Sequence, residues 1–546
     1  MSAMKPFASA PAAPAGAPAA GDQPAARSGR ALRELMVPPM PGSRAWGWAG
    51  PLLVTALGAF LRFYRLGVPH AVVFDETYYV PDAYSILRHG VEYNHVKNVN
   101  ALLARGSTHI LTGPGEYVVH PPLGKAMIAV GEWLFGLTPF GWRFSVAVAG
   151  TLAILMTARI ARRMTRSTLL GCAAGLLMAL DGLELVLSRT AILDVFVMFW
   201  TLAAFGMLVL DRDAARTRLA DIALARPGGG AQPGGAAAGA PLPGGGPGLG
   251  IRWRRVLAGV FLGLACASKW NGIWYVLAFA GLALAWDLGA RRAAGFRDPA
   301  GGVLRHDLRW MPAWFAAAPA AAYLASWSGW FLTGTGYDRN WAASNGNHVP
   351  VWSVLDSWYQ YQKSMLSFGL GLTDHSGYVS EPWTWLVLGR PVSMYYATPR
   401  TCGTGSCSQE VLAIGTPAIW WASALALAFC LGWWISRRDW RAGALLLAVA
   451  AGWLPWFWFA WHDNRTEYFF YAIIFLPYLV LAITLCLGLL LGPARAARGR
   501  RVSGSLAAGA YLLAVLANFA WLYPVLAASV VPYQDWLSRM WFRSWI

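Results

Sequence analysis

Apolar runs of roughly 20 residues recur along most of the chain, the length an α-helix needs to cross a hydrocarbon layer about 30 Å thick. They fall at 46–66, 139–161, 168–187, 190–210, 254–269, 271–289, 310–332, 414–435, 443–461, 467–492 and 505–528. The pattern predicts about eleven spanning helices, and an odd count puts the two termini on opposite sides. Three longer polar stretches interrupt it, at 67–138, 222–250 and 333–413. Alternation places the first and third on one side of the membrane and the second on the other.

Charge tells the sides apart. Arg162, Arg163 and Arg166, the stretch from Arg212 to Arg255, that from Arg291 to Arg309, Arg437, Arg438 and Arg441, and the stretch from Arg495 to Arg501 occupy alternate connections. The positive-inside rule makes those connections cytoplasmic, and Arg27, Arg30 and Arg33 put the N-terminal tail with them. Residues 67–138, residues 333–413 and the C-terminus are then extracytoplasmic. The net charge of +18 follows from this topology, because the basic residues are spread over every second loop and not gathered on one module, as a nucleic-acid binder requires. A composition 57% hydrophobic and 13% charged also excludes an ordinary soluble domain.

Residues 1–45, rich in Ala, Pro and Gly and without a continuous apolar core, are expected to form a disordered cytoplasmic tail and not a cleaved signal peptide. The membrane domain then runs from 46 to 546, with 211–253 as a flexible cytoplasmic loop containing PGGGAQPGG and PLPGGGPG. Four cysteines lie within apolar spans and read as packing residues. Cys402 and Cys407 bracket CGTGSC in the second outer loop, where they form either a disulfide or two free thiols.

The first outer loop carries most of the candidate chemistry. Asp75 and Glu76 are adjacent in FDETYY, just beyond the first span. A neighbouring acid and partial burial raise a carboxylate's pKa toward the range a general base needs, although a solvated loop dipeptide has the same sequence. HPPLGK, with His120 and Lys125, opens an amphipathic segment expected to lie along the outer surface from a proline-led start. Lys125 and Arg143 could neutralise a lipid-linked phosphate or simply snorkel toward water. Arg189 and Asp194, in LSRTAILD between the third and fourth spans, are either functional ionisable groups or a structural pair locking two helices. The aromatics of the second loop, including Trp341, Trp352, Trp358, Tyr359, Tyr361, Trp383 and Trp385, serve either as interfacial anchors or as a stacking platform for sugar or peptide.

Taken in order, FLRFYRLGVPHAVVFDETYY, HPPLGK, FGWRFS, LSRTAILD and SEPWTW resemble the protein O-mannosyltransferases of the shorter bacterial, actinobacterial type. The resemblance implies an all-α polytopic membrane protein with a GT-C glycosyltransferase fold. It implies transfer of mannose from polyprenyl-phosphate mannose to Ser/Thr hydroxyls of translocated proteins, with inversion at the anomeric carbon. Asp75 would be the catalytic carboxylate, with Glu76 beside it. Arg62, His120, Lys125, Arg143, Arg189 and Asp194 would bind the donor and its phosphate, and Glu381 and Trp383 would contact the acceptor or a loop. Glu381 stands where eukaryotic relatives are expected to carry histidine, and residues 333–413 are too short for the sugar-binding-like module those relatives insert there.

The partners implied are the lipid-linked donor, secreted Ser/Thr-containing acceptors, the bilayer and a secretion translocon, with no nucleic acid. No His/Cys cluster has metal spacing and no Gly-rich phosphate loop is present, so no cofactor is required, although a divalent cation at Asp75 and Glu76 is compatible with the residues. A GT-C enzyme using another sugar, such as arabinose, and a transporter are the alternatives. A transporter would need internal repeats and midplane charges, whereas the candidate charges here cluster at the outer edge.

Overall fold

In the computed structural model, which describes residues 32–225, 242, 244–373, 376–403, 405–493 and 496–546, six helices among the described residues are both long and apolar enough to cross a membrane. They are Pro139–Thr165, Asp194–Leu224, Trp270–Ala293, Pro417–Arg437, Trp440–His462 and Arg498–Leu526. The 20-residue Arg44–Phe63 helix, the 16-residue Trp253–Ser268 helix and the apolar Thr168–Ala179 and Leu476–Leu491 helices pack among them. Several expected spans are broken, so eleven uninterrupted helices do not appear among the described residues.

The breaks have identifiable causes. The 168–187 run divides into Thr168–Ala179 and Gly182–Leu187 because Asp181 caps the second piece, accepting from Glu184 N at 3.1 Å. Its other oxygen accepts from Trp420 Nε1 at 2.8 Å and Thr416 N at 3.2 Å. The 467–492 run becomes a 3-10 turn, Phe469–Ile474, followed by Leu476–Leu491 with Pro477 in its first turn. Residues 310–332 divide into the short pieces Ala313–Ala317, Ala318–Ser326 and Ser328–Leu332.

The fourth span, in contrast, runs on to Leu224, so 211–224 is helical and not the start of a loop. Asp211 faces Arg252 at 2.5 Å and Arg255 at 3.0 Å, and both arginines also reach Asp287 at 2.8 Å. Arg291 pairs with Asp307 at 2.8 Å. This buried network ties three helices together at the end where the N-terminal segment docks. There Met36 packs with Leu219 and Arg33 meets Asp221 at 2.7 Å. Residues 32–45, expected as tail, are thus partly anchored. The rest of that tail, 1–31, and residues 226–241 and 243 of the expected flexible loop lie outside the described residues.

At the other end the segments expected as outer loops fold on one another. The Glu76–His89 and Leu123–Phe135 helices pack side by side. The latter begins at Pro122 and crosses the Pro139–Thr165 helix so closely that a Cβ on Gly131 would strike the Gly141 carbonyl. Its Val130, Trp133, Leu134 and Phe135 remain exposed.

Tyr117 Oη donates to Ser364 O at 3.0 Å and Tyr361 Oη donates to Val118 O at 3.2 Å, joining the first outer loop to the Trp352–Leu370 helix of the second. Trp327, Trp330, Trp358 and Tyr361 form an aromatic core there, so part of the second loop's aromatic set packs internally, while Trp352, Tyr359 and Trp383 stay exposed.

Two small antiparallel sheets lie outside the all-α expectation. Tyr93–His95 pairs with Leu111–Pro114, and Cys407–Ala413 lies between Val392–Ala397 and Val530–Pro532, with Ser408 opposite Val531. The second sheet brings the C-terminal segment onto the 333–413 loop. Cys402 and Cys407 are disulfide-bonded within it.

Candidate active site

The end of the first helix is held by two buried arginines. Arg62, in its last turn, forms an ion pair with Glu184 and donates from Nη1 to Gly58 O at 2.9 Å. Arg189 donates to the carbonyls of Arg62 at 2.8 Å, Tyr64 at 2.7 Å and Arg65 at 3.0 Å. These carbonyls lie where a helix runs out of intrahelical donors, and a guanidinium is well suited to satisfy them. Both side chains, expected near the donor, spend their hydrogen bonds on the scaffold.

The loop that follows is fastened by Arg143. Its Nε and Nη2 grip Glu76 Oε1 and Oε2 at 2.8 and 2.9 Å, and further donors reach the carbonyls of Pro69 at 3.0 Å and Ala71 at 2.8 Å. Glu76 also accepts from Val73 N at 2.8 Å and Ala191 N at 3.0 Å. Both members of this pair are buried, and Glu76 turns inward.

Asp75, the residue before, begins the Glu76–His89 helix without capping it. Its Oδ2 accepts from Tyr79 Oη at 3.4 Å. Burial raises its pKa to about 6, with Lys269 pulling it down and Asp194 pushing it up. The neighbouring acid that matters is therefore Asp194 and not the adjacent Glu76.

Asp194 opens the long fourth helix and holds Lys269 Nζ through both oxygens, at 3.1 and 3.0 Å. Lys269 sits in the break after the Trp253–Ser268 helix, 4.4 Å from the centre of the Tyr471 ring. Arg465 lies over Trp456 and Tyr471, at 5.4 and 5.8 Å. The His120 ring lies 6.1 Å from the Tyr79 ring. Burial, then the charges of Lys269, Lys125 and Arg465, hold its pKa well below the usual imidazole value. These contacts and charges link Asp75, Tyr79, His120, Asp194, Lys269, Arg465 and Tyr471 into one polar cluster. Lys269 and Arg465 escaped the sequence reading because each looks like a solitary cation at the end of a span.

Lys125 lies deeper, 2.6 Å from Glu92 Oε1 and 3.6 Å from Asp82 Oδ2. Burial works against its charge, but Glu92 and Asp82 outweigh it and raise the pKa. Asp82 is pushed up to about 7 by burial, against the pull of Lys125. Asp82, His95 and Glu116 present ligand atoms within 4.8 Å of one another. A cation there would contend with the Lys125 ammonium, and a cation held by Asp75 and Glu76 would have to displace Arg143 from Glu76.

Glu381 and Trp383 lie exposed, and Trp383 faces Phe457 and Trp461 at 6.1 Å. Beside them, Glu467 is buried with neither oxygen hydrogen-bonded among the described residues, as is the Ser380 hydroxyl, and Ser380 N donates to Glu467 O at 2.9 Å. Neither residue stood out in the sequence.

Residues 52–223 match the family model described as dolichyl-phosphate-mannose-protein mannosyltransferase, and residues 354–545 that of the C-terminal four-transmembrane region of protein O-mannosyltransferase. A polyprenol-phosphate-mannose–protein mannosyltransferase of Mycolicibacterium smegmatis is 40% identical over 527 residues, covering 92% of this chain and 94% of that protein. Its namesake in Mycobacterium tuberculosis is 39% identical over 92% of this chain and 93% of its own length, and that of Corynebacterium glutamicum 34% over 93% and 96%. Among solved structures, the Saccharomyces cerevisiae protein O-mannosyltransferase Pmt1–Pmt2 complex bound to the sugar donor has the same fold, with a TM-score of 0.66 at 14% identity, covering 95% of this chain and 94% of that one.

Proposed function

Since the chain belongs to the polyprenol-phosphate-mannose–protein mannosyltransferase family, we propose that it transfers mannose from a polyprenyl-phosphate carrier to Ser/Thr hydroxyls in a single displacement with Asp75 as general base. It is a membrane glycosyltransferase, which sets the transporter reading aside. The observation that carries the assignment is Asp75 itself: half-buried, poised near pH 6, and close enough to Lys269 to feel its charge, while Glu76 is locked away.

In this reading the acceptor oxygen attacks the anomeric carbon as its proton passes to Asp75. The bond from that carbon to the phosphate oxygen breaks on the opposite face, inverting the configuration, and polyprenyl phosphate departs. Lys269 and Arg465 are the cations placed to meet the charge growing on the phosphate, a contribution worth about 3 kcal/mol per well-aimed donor in a site that excludes water. His120 and the Tyr79 hydroxyl orient sugar or phosphate oxygens.

Arg143 and Glu76 act as positioning residues that hold the 66–76 loop, as Arg62 and Arg189 hold the helix before it. Lys125 secures the surface helix through Asp82 and Glu92. Glu381 and Trp383 line the acceptor side, with Glu467 and Ser380 offering unmet hydrogen-bonding capacity to a peptide backbone. Glu76, whose two oxygens each accept two hydrogen bonds from Arg143, Val73 N and Ala191 N, is given no metal in this reading. The site end is taken as extracytoplasmic, where an acceptor emerging from a translocon would meet it.

The test is transfer of labelled mannose from polyprenyl-phosphate mannose to a Ser/Thr-rich peptide by purified protein in liposomes, with the product's anomeric linkage determined. A linkage inverted relative to the donor is expected. A retained linkage would exclude the single displacement, and absence of transfer by folded protein would point to another sugar or acceptor.

A further inference from the structure

At the end of the bundle away from Asp75, a cleft of about 550 Å³ runs between the Ile273–Ala293, Pro417–Arg437 and Trp440–His462 helices. Its walls are apolar, and Gly281 and Gly289 line it with open space where a side chain would stand. Its head is cationic. Arg212, Arg216 and Arg438 border it, with the Arg212 guanidinium 3.6 Å from the centre of the Trp440 ring. A second cavity of about 300 Å³ meets it at Arg212, Arg216 and Trp440.

The charge at this head is not balanced. Asp213 takes Arg163 and Arg166 at 2.8 Å and Arg212 at 3.2 Å, and Asp439 is held by Arg441 at 2.6 Å. Arg216 donates from Nε to Met36 O at 2.7 Å, and Arg438 has no ion pair among the described residues, lying 5.2 Å from the Trp434 ring. Six arginines therefore stand against two aspartates, with Arg212 buried, Arg216 half-buried and Arg438 exposed. Arg212 lies 18 residues after Asp194 on one continuous helix, about 27 Å at 1.5 Å per residue. That is close to the thickness of a hydrocarbon core, so the cationic head sits at the opposite interface from the site.

We propose that this cleft binds an anionic diacyl phospholipid, its headgroup phosphate among Arg212, Arg216 and Arg438 and an acyl chain in the slot beside Gly281 and Gly289. Basic pockets between helices at this interface recognise anionic headgroups, and the apolar slot supplies what a soluble phosphate would not need. The polyprenyl-phosphate product is disfavoured as occupant, because it is released a full membrane thickness away.

Native mass spectrometry of the full chain, exchanged into mixed phosphatidylglycerol and phosphatidylcholine of matched chains, tests the assignment. Preferential retention of one phosphatidylglycerol is expected. Arg438→Gln, an exposed position where folding is not at stake, should weaken that preference roughly fivefold, about 1 kcal/mol for one basic residue at a membrane surface. Gly289→Leu should expel the lipid by filling the slot. Equal retention of the two phospholipids, no effect of either substitution, or displacement of phosphatidylglycerol by undecaprenyl phosphate at equal concentration would overturn it.

Discussion

Asp75 and Glu76 are neighbours in sequence and nearly identical in chemistry, yet the fold assigns them opposite tasks. Glu76 receives four hydrogen bonds, two of them from Arg143, while among the described residues Asp75 has only the Tyr79 hydroxyl as a close donor. The sequence could mark the pair but not divide it, because Arg143 and Ala191 reach Glu76 from 67 and 115 residues away. Lys269 was illegible for the same reason. A lone lysine after an apolar run reads as a snorkel until Asp194 is placed against it.

The pH response follows from these neighbours. Lys269 lowers the Asp75 pKa and Asp194 raises it, so removing each moves the acid limb of activity in opposite directions. In kcat/KM profiles, Lys269→Gln should shift the limb above pH 6 and Asp194→Asn should shift it below. Matching shifts in both variants would show that the limb belongs to another group.

At the scale of elements, the positions of the apolar runs were plain in the sequence and their interruptions were not. Asp181 breaks the 168–187 run because Trp420 and Thr416, more than 230 residues later, supply donors that make a buried carboxylate tolerable. The extension of the fourth helix to Leu224 likewise depends on Arg252 and Arg255 meeting Asp211. Small strands at 392–397, 407–413 and 530–532 left little periodicity to read, since each is short and one partner comes from the far C-terminus. Arg189 is the element-scale counterpart of a helix cap. Arg189→Ala would strip donors from the carbonyls at the end of the first helix and should lower stability by about 1–3 kcal/mol, seen as a lower Tm in detergent, whereas Arg189→Lys should recover only part of it because one ammonium cannot span the same carbonyls.

For the whole molecule, alternating charge predicts a topology with the two termini on opposite sides. The N-terminal segment packs near Leu219, and the C-terminal strand pairs with the 407–413 strand beside the other outer-loop segments. Which end faces out is checked by single cysteines placed in a chain whose other cysteines are replaced. A membrane-impermeant maleimide should label Thr401→Cys in intact cells and Arg292→Cys only after the membrane is opened. The reverse pattern would invert the assignment of the site to the outer side.

The most direct measurement is the pH dependence of mannose transfer from polyprenyl-phosphate mannose to a Ser/Thr peptide by the native chain and by Asp75→Asn, at equal amounts of folded protein. The native enzyme is expected to lose activity as pH falls through about 6, where Asp75 takes up a proton. The variant should lose roughly 10²–10⁴-fold, the usual contribution of a general base, and should lose the limb with it. A variant that retains near-native transfer with the same limb would contradict Asp75 as the base.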